Sequence, residues 1–455
     1  MRSAPFRTRG GSEVLRTEDV PTFNRTLGLR TLFFVVVANM IGTGIFTTSG
    51  FMMADLGHPI AVLACWAVGG LLAVCGGLCY AELGTRFPVT GGEYVFLRET
   101  FGPNWAFLSG WTSLLVGFSA PVGAAAMAFA MHLQGIVGTD VPPELLAILA
   151  IVLMTVVHGG AVVVGARIQV ALTSLKVVLI GGFIVAGFLL GRGDVAHFSM
   201  VASGGAVTLS AFATSLVFVS FAYTGWNAAV YLGGEAKQPA RDLPRAILFG
   251  VAAVVAIYLS LNFVFIYALA PSALAGHPDA GRLAAHALFG PRVGGGFALA
   301  IALFLLSTIG AMTMTGPRVI VAMARDGAFF APFAKLGART QAPLRALLLQ
   351  SAIAVAMVLT ATFEALLLYV GFVLSLFSSL SVLGLMRLRR RSKTTTGSDV
   401  FRTWGYPVTP MLFVVLNLGI VAFSVKDNLV AFLSGVATLV VGHAVARLRT
   451  RRPRA

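Results

Sequence analysis

The chain has 455 residues, 57% hydrophobic and only 11% charged, with a mean hydropathy of +0.89. No soluble globular domain has such values, so the chain reads as an all-α polytopic membrane protein. Its net charge of +16 does not point to nucleic acid, because the basic residues cluster in tails and short loops, as the positive-inside rule requires.

The polar residues 1–30 lack the short apolar core of a cleavable leader and read as a cytosolic tail. Apolar segments long enough for a hydrocarbon core of about 30 Å then recur. They fall at 31–56, 60–83, 105–136, 145–164, 168–190, 209–233, 246–268, 294–324, 346–360, 365–385, 408–423 and 429–445, which gives 12 transmembrane helices. With the N-terminus inside, 28 of the 33 Lys and Arg lie in cytosolic segments and four outside, Lys176 being the remaining one. That bias puts both termini in the cytoplasm. Cys65, Cys75 and Cys79 all fall in the second segment and read as small buried hydrophobes rather than disulfide partners. After the seventh segment an outside loop carries LAAHALF, expected as a short helix over the outer mouth. The Arg-rich loop MRLRRRSKTTTGSDVFRTWGYP, spanning the basic segment 388–407, is expected at the lipid headgroups.

The first segment, TLFFVVVANMIGTGIFTTSGFMMADL, carries Gly42, Thr43 and Gly44 at its middle. Glycine costs about 1 kcal/mol relative to Ala within a helix, so the triplet marks an unwound step or, alternatively, a close helix–helix contact. Unwound backbone inside a bilayer is tolerated only where it lines a cavity. A half-helix N-terminus in such a cavity suits a carboxylate. The sixth segment repeats the pattern with Tyr223, Thr224, Gly225, Trp226 and Asn227. Paired interruptions of this kind point to a transporter site between repeats.

Lys176 lies nine residues beyond Arg167, about 13 Å along a helix, too deep to reach the interface by snorkelling. Such a buried cation marks a functional site by default, a purely structural cap on neighbouring carbonyls being the alternative. Glu82 and Glu364 fall at segment ends, which leaves no central counter-ion for a cationic side chain. His132 and His158 lack a second ligand at i+3 or i+4, so no metal is expected. No nucleotide-binding loop or catalytic triad is present, which excludes a pump or an intramembrane enzyme, and no cofactor is implied.

IGTGIF resembles the Gly–Ser/Thr–Gly motif of the amino acid–polyamine–organocation (APC) superfamily. FAYTGWNAAVYLGGEAKQPARDLPRAI resembles the sixth helix of its L-type amino acid transporter branch and related bacterial permeases. YAELGTRFPVTGGEYVFLRETFGP, GPRVIVAMARDGAFF and GYPVTP are similar to further landmarks of that superfamily, so the likeness runs from about Arg25 to Val445. It implies a five-plus-five inverted-repeat fold of the leucine-transporter type with broken helices 1 and 6. The repeats would be 31–192 and 209–387, followed by helices 11 and 12 at 408–445 and a tail at 446–455.

The resemblance also assigns roles. Backbone N–H groups of Thr43 and Gly44 would hold the substrate carboxylate, with Gly42 beside them in the site and the Thr43 hydroxyl adding a bond. Carbonyls near Met40 and Ile41, with those of Phe221 and Thr224, would take the α-ammonium. Phe221 would close over the substrate as outer gate, and Tyr223, Gly225 and Asn227 would shape and brace helix six. Lys176, with Thr308 and Ser307, would occupy the place of the sodium ion of sodium-coupled relatives, as a fixed substitute for it or as the carrier of a coupling proton. Thr224 stands where many relatives have Gly, which favours small or medium neutral substrates.

The expected function is sodium-independent transport of such L-amino acids across the plasma membrane, as proton symporter or amino acid exchanger. The alternatives are a cationic amino acid or polyamine antiporter and an amino acid sensor. The partners expected are the amino acid, protons and membrane lipids, and no nucleic acid. No disulfide-linked heavy chain is expected, because the loop between helices three and four has no Cys.

Overall fold

The computed structural model describes residues 23–137, 140–202, 207–391, 400–427 and 429–451. Most of the N-terminal tail, residues 392–399 of the basic loop, the extreme C-terminus and the side chain of Glu364 therefore lie outside the described residues.

Among the described residues every extended regular element is a helix, and pairing of the strand type is limited to the isolated bridges Leu27–Ala236 and Thr90–Leu232. The first segment is two helices, α1 (Leu29–Met40) and α2 (Gly44–Leu56), followed by α3 (Pro59–Arg86). A short helix, α4 (Glu93–Phe101), precedes α5 (Pro103–Thr112), which runs through a wider turn at Ser113–Ser119 into α6 (Ala120–Val137). Next come α7 (Pro143–Gly159), α8 (Val162–Leu189), α9 (Leu209–Ala222) and the four-residue α10 (Ala228–Tyr231). The long α11 (Pro239–Ala268) leads through α12 (Pro271–Leu274) to α13 (Ala280–Phe289). The chain continues with α14 (Pro291–Thr315), α15 (Pro317–Arg325), α16 (Leu344–Thr360), α17 (Phe363–Arg391), α18 (Val408–Asp427) and α19 (Leu429–Arg451).

Six helical stretches are long and apolar enough to cross a membrane: Leu29–Leu56, Pro59–Arg86, Pro103–Gln134, Val162–Leu189, Pro239–Ala268 and Pro291–Arg325. Shorter apolar helices accompany them. The outward faces carry Leu149, Val152, Leu153 and Val156 of α7 and Leu175, Val178 and Val185 of α8, all exposed. An apolar belt of this extent is stable against hydrocarbon and not against water. The chain is a multi-pass membrane protein.

Local chemistry explains most boundaries. Pro opens α3, α5, α7, α11, α14 and α15, where its missing N–H has no intrahelical partner to lose. The stretch LAAHALF forms α13, which packs on α14, α11 and α2. One boundary differs from the sequence reading. The fourth segment ends at Gly159 and α8 starts at Val162, not at 164 and 168, because Gly159 and Gly160 stop the helix earlier than hydropathy alone indicates. Lys176 therefore stands halfway along the 28 residues of α8.

At the end of the bundle that carries the N-terminal segment, α1, α10 and α15 are tied together. The Leu27 N–H donates to the Glu235 carbonyl at 2.9 Å, and the Arg318 guanidinium pairs with both Glu235 oxygens at 2.9 and 3.0 Å, fully buried. Phe23 packs its ring against Arg318 and Arg325. Nearby, the buried Glu82 carboxylate receives Arg86, Arg389 and the Thr403 N–H.

Candidate functional site

Both interrupted segments are broken where the sequence places small residues. The first stops at Met40 and resumes at Gly44, with Ile41 outside helical geometry at φ −77°, ψ 87°. The sixth stops at Ala222, turns through residues 223–227, and resumes as the short α10. The two breaks touch. A Cβ on Gly44 would lie 2.8 Å from Ala222, and one on Gly225, at φ +101°, would lie 2.7 Å from the Asn39 carbonyl. The alternatives raised for Gly42–Thr43–Gly44 are thus both realised: Gly44 begins the second half-helix and also admits the neighbouring chain.

A cavity opens beside this contact. Its wall includes Met40, Gly42, Thr43, Gly44, Phe221, Tyr223, Thr224, Gly225, Asn227 and Thr308. The first N–H groups of a helix have no intrahelical acceptor, so the start of α2 at Thr43 and Gly44 gives the cavity a positive end of a helix dipole. Thr43 makes no side-chain cap of its own. Thr224 donates its hydroxyl to the Phe221 carbonyl at 2.7 Å, and Phe221 is half-buried at the wall. Tyr223 donates to the Trp66 carbonyl at 3.2 Å, which braces the sixth segment against α3.

Ile41 does not line the cavity. Its carbonyl faces the other way and takes the Lys176 ammonium at 2.8 Å and the Thr308 hydroxyl at 2.8 Å. Lys176 also donates to Thr308 Oγ1 at 2.9 Å and reaches the Ala38 carbonyl at 3.5 Å. The side chain is fully buried. The cation therefore caps the C-terminal end of α1, where the helix dipole is negative. Ser307 makes its contacts with residues of α8 other than Lys176. Its hydroxyl is 3.0 Å from that of Thr173, and Gln169 donates to its carbonyl at 2.9 Å.

The Met40 carbonyl is also engaged. The Tyr258 hydroxyl of α11 lies 2.6 Å from it and 3.0 Å from the Ala222 carbonyl, so one phenol proton serves the last carbonyls of both half-helices. Sequence reading passes over Tyr258. The available signal is a tyrosine in the middle of an apolar span, whose hydroxyl needs a buried partner.

Glu93 is a second residue the sequence reading misses. It opens α4, yet its carboxylate enters the cavity wall from below the sixth-segment break. Glu93 Oε1 accepts from the Tyr80 hydroxyl at 2.6 Å and from Asn227 Nδ2 at 3.0 Å. Burial pushes its carboxyl up to about 7, against the opposing effect of those two donors. The expectation that no acid reaches the centre is corrected by this residue: its position between two spans hides its depth. Among the described residues, no group of three or more His, Cys, Asp and Glu converges as a metal site would.

The cavity therefore offers N–H groups at one helix start, occupied carbonyls at two helix ends, one buried ammonium behind the first break and one carboxyl beneath the second. That set can hold a small zwitterion without a charged side chain on the contacting surface of the first break.

Known proteins resemble this chain along its length. The b(0,+)-type amino acid transporter 1 of Mus musculus is 29% identical over 408 residues, 87% of this chain and 82% of that protein. The serine/threonine exchanger SteT of Bacillus subtilis is 29% identical over 444 residues, 95% of this chain and 99% of that protein. The human large neutral amino acids transporter small subunit 2 is 28% identical over 451 residues, 95% and 80% of the two chains. These relatives are transporters and not enzymes. The sequence pattern described as "Amino acid permease" matches residues 27–441, and the chain belongs to that family of membrane transporters, within the APC superfamily.

Proposed function

We propose that the chain is a sodium-independent secondary transporter of small or medium neutral L-amino acids, working by alternating access at the plasma membrane. On this reading it has 12 spans, arranged as two inverted repeats (31–192 and 209–387) plus two further helices, with both termini in the cytoplasm. The carboxylate would meet Thr43 and Gly44, and Phe221 would close above it. The α-ammonium would compete for the Met40, Phe221 and Thr224 carbonyls, since Ile41 is committed to Lys176.

One observation carries the reading. The Lys176 ammonium sits between the Ile41 carbonyl and the Thr308 hydroxyl behind the first break. A tethered cation there supplies the charge that a bound sodium ion would otherwise bring. The size preference rests on Thr224, whose side chain lines the cavity. The cysteines are confined to Cys65, Cys75 and Cys79, all in α3. The chain thus offers no thiol between helices three and four for a disulfide-linked partner.

Glu93 favours a second reading, transport of cationic amino acids or polyamines, because an ionised carboxylate at the cavity wall would pair with a side-chain ammonium. The test is uptake of labelled amino acids into proteoliposomes without sodium. Vesicles are compared empty, preloaded with unlabelled amino acid, and under an inward proton gradient. Uptake of alanine, serine or leucine supports the first reading, with preloading dependence marking an exchanger and gradient dependence a symporter. Uptake confined to lysine, arginine or putrescine supports the second. Binding without flux in any condition would leave a sensor.

A further inference from the structure

The Glu93 carboxyl is an unusual group for an apolar cavity. It is 2% exposed and receives two hydrogen bonds, both on Oε1 and both from neutral donors. Among the described residues no Lys or Arg pairs with it. Oε2 is left as the atom able to carry a proton.

The elements packed against Glu93 bring it no cation among the described residues. Tyr80 of α3 donates to it, and Tyr231 of α10 is close enough to feel its charge. On its own helix, Tyr94 and Arg98 turn away to Asp326 at the end of α15. Arg318 of α15 is committed to Glu235, and Arg325 lies over the Phe23 ring. From α17, Arg387 covers the Phe101 ring, Arg389 pairs with Glu82, and Arg390 and Arg391 are exposed. The adjacent α5 contributes no titratable side chain.

A buried carboxylate without a cation is stable only if water or a proton compensates its charge. Water can do so while the cavity is open. A neutral amino acid that fills the cavity removes that water and brings no net charge in exchange. We propose that Glu93 is a proton-binding site of the transport cycle, taking a proton on Oε2 from bulk solution through the open cavity as a neutral amino acid binds and returning it to solution when the cavity rehydrates. The carboxylate goes from −1 to neutral, and the occluded complex carries the amino acid and one proton together. Asn227 links the event to the sixth-segment break, because its amide donates to Oε1 of the same carboxyl. Burial raises the Glu93 carboxyl toward neutral pH, where a modest change in hydration alters its occupancy.

This inference rests on the neutral amino acid reading. It deepens that reading by naming a coupling group distinct from Lys176. The test uses the purified full-length protein with labelled L-alanine, L-serine and L-leucine, and measures affinity from about pH 5.5 to about pH 8.5 in wild type, Glu93→Gln and Glu93→Asp. In wild type the affinity falls above pH 7, approaching tenfold per pH unit at most for a single linked proton. Glu93→Gln, a fixed neutral analogue, changes less than about twofold over the same range, because one-proton linkage is removed. Glu93→Asp restores a pH dependence. A pH indicator dye read during binding gives the same answer directly, with proton uptake in wild type and none in Glu93→Gln.

A second measurement does not depend on binding. Burial pushes the Glu93 carboxyl up to about 7 from its ordinary value of 4.5, so the folded chain holds its proton more tightly than the unfolded one. Wild type therefore loses stability relative to Glu93→Gln as pH rises from about 4.5 through about 7. Equal pH profiles for wild type and Glu93→Gln in binding would overturn the inference alone. Absence of binding by wild type for all three amino acids would overturn the neutral amino acid reading and this inference with it. Tight binding of L-lysine that strengthens with pH and is lost in Glu93→Gln would assign the carboxylate to a substrate ammonium instead, and overturn the proton site.

Discussion

The two helix breaks are built from similar residues and stabilised in opposite ways. The first has a cation behind it: Lys176 donates to the Ile41 and Thr308 oxygens, and its three-donor ammonium finds acceptors at the negative end of α1. The second has an acid beneath it: Asn227 donates to Glu93, whose other donor is a neutral phenol. Tyr258 joins the two by touching the last carbonyl of each half-helix. The first break is thus fixed by a charge that is well solvated by protein oxygens. The second is held by a group that meets neutral donors and no Lys or Arg among the described residues, and whose charge changes with what fills the cavity. A transporter needs both kinds of support, one holding the site together and one responding to its contents.

The comparison can be broken most severely where the two breaks meet. Gly225→Ala introduces a Cβ into a backbone at φ +101° and 2.7 Å from the Asn39 carbonyl. Strain of about 1–3 kcal/mol and overpacking of a similar size would add, so the variant is expected to lose most of its monodisperse folded fraction in a thermal size-exclusion assay. Lys176→Ala should fold but lose uptake. Hydrogen bonds from charged donors contribute about 1.5–3 kcal/mol, so the initial rate is expected to fall by at least about tenfold. A wild-type rate from that variant would remove the ammonium from the account.

Smaller changes sharpen the comparison instead. Tyr258→Phe removes the hydroxyl shared by the two breaks. At about 1 kcal/mol for a neutral hydrogen bond, uptake should slow by roughly fivefold, and the variant should remain folded. Thr224→Gly removes a side chain that lines the cavity and its bond to the Phe221 carbonyl. The ratio of leucine to alanine uptake should rise, by about tenfold at most for a change of this volume. A fall in that ratio would place the substrate side chain elsewhere.

Much of this site was legible in the chain because its signals are local. Gly42–Thr43–Gly44 and Tyr223–Asn227 interrupt apolar runs, and a lysine in the middle of a third run has no local excuse. The finer geometry was not legible, because it depends on which way a backbone turns. Ile41 was expected at the substrate and instead faces Lys176. Glu93 was hidden for a different reason. It stands between two spans in GGEYVF, and only the packing of α4 against α17 and α5 brings its carboxyl under the cavity. Gly92 marks the place: it turns the chain into α4 at φ +55° with Tyr231 packed where a side chain would be. The stop at Gly159 shows the same limit in a helix boundary, where hydropathy runs on across a glycine pair that ends the hydrogen-bonding pattern.

The claim at the centre of the account is that a protein ammonium replaces a bound sodium ion at the first break. The direct measurement is the initial rate of amino acid uptake by wild-type proteoliposomes in sodium chloride and in choline chloride, with preloading and proton gradient matched. The account predicts equal rates in the two salts. A rate that depends on sodium would contradict it, because the ion would then be needed at a place Lys176 already fills.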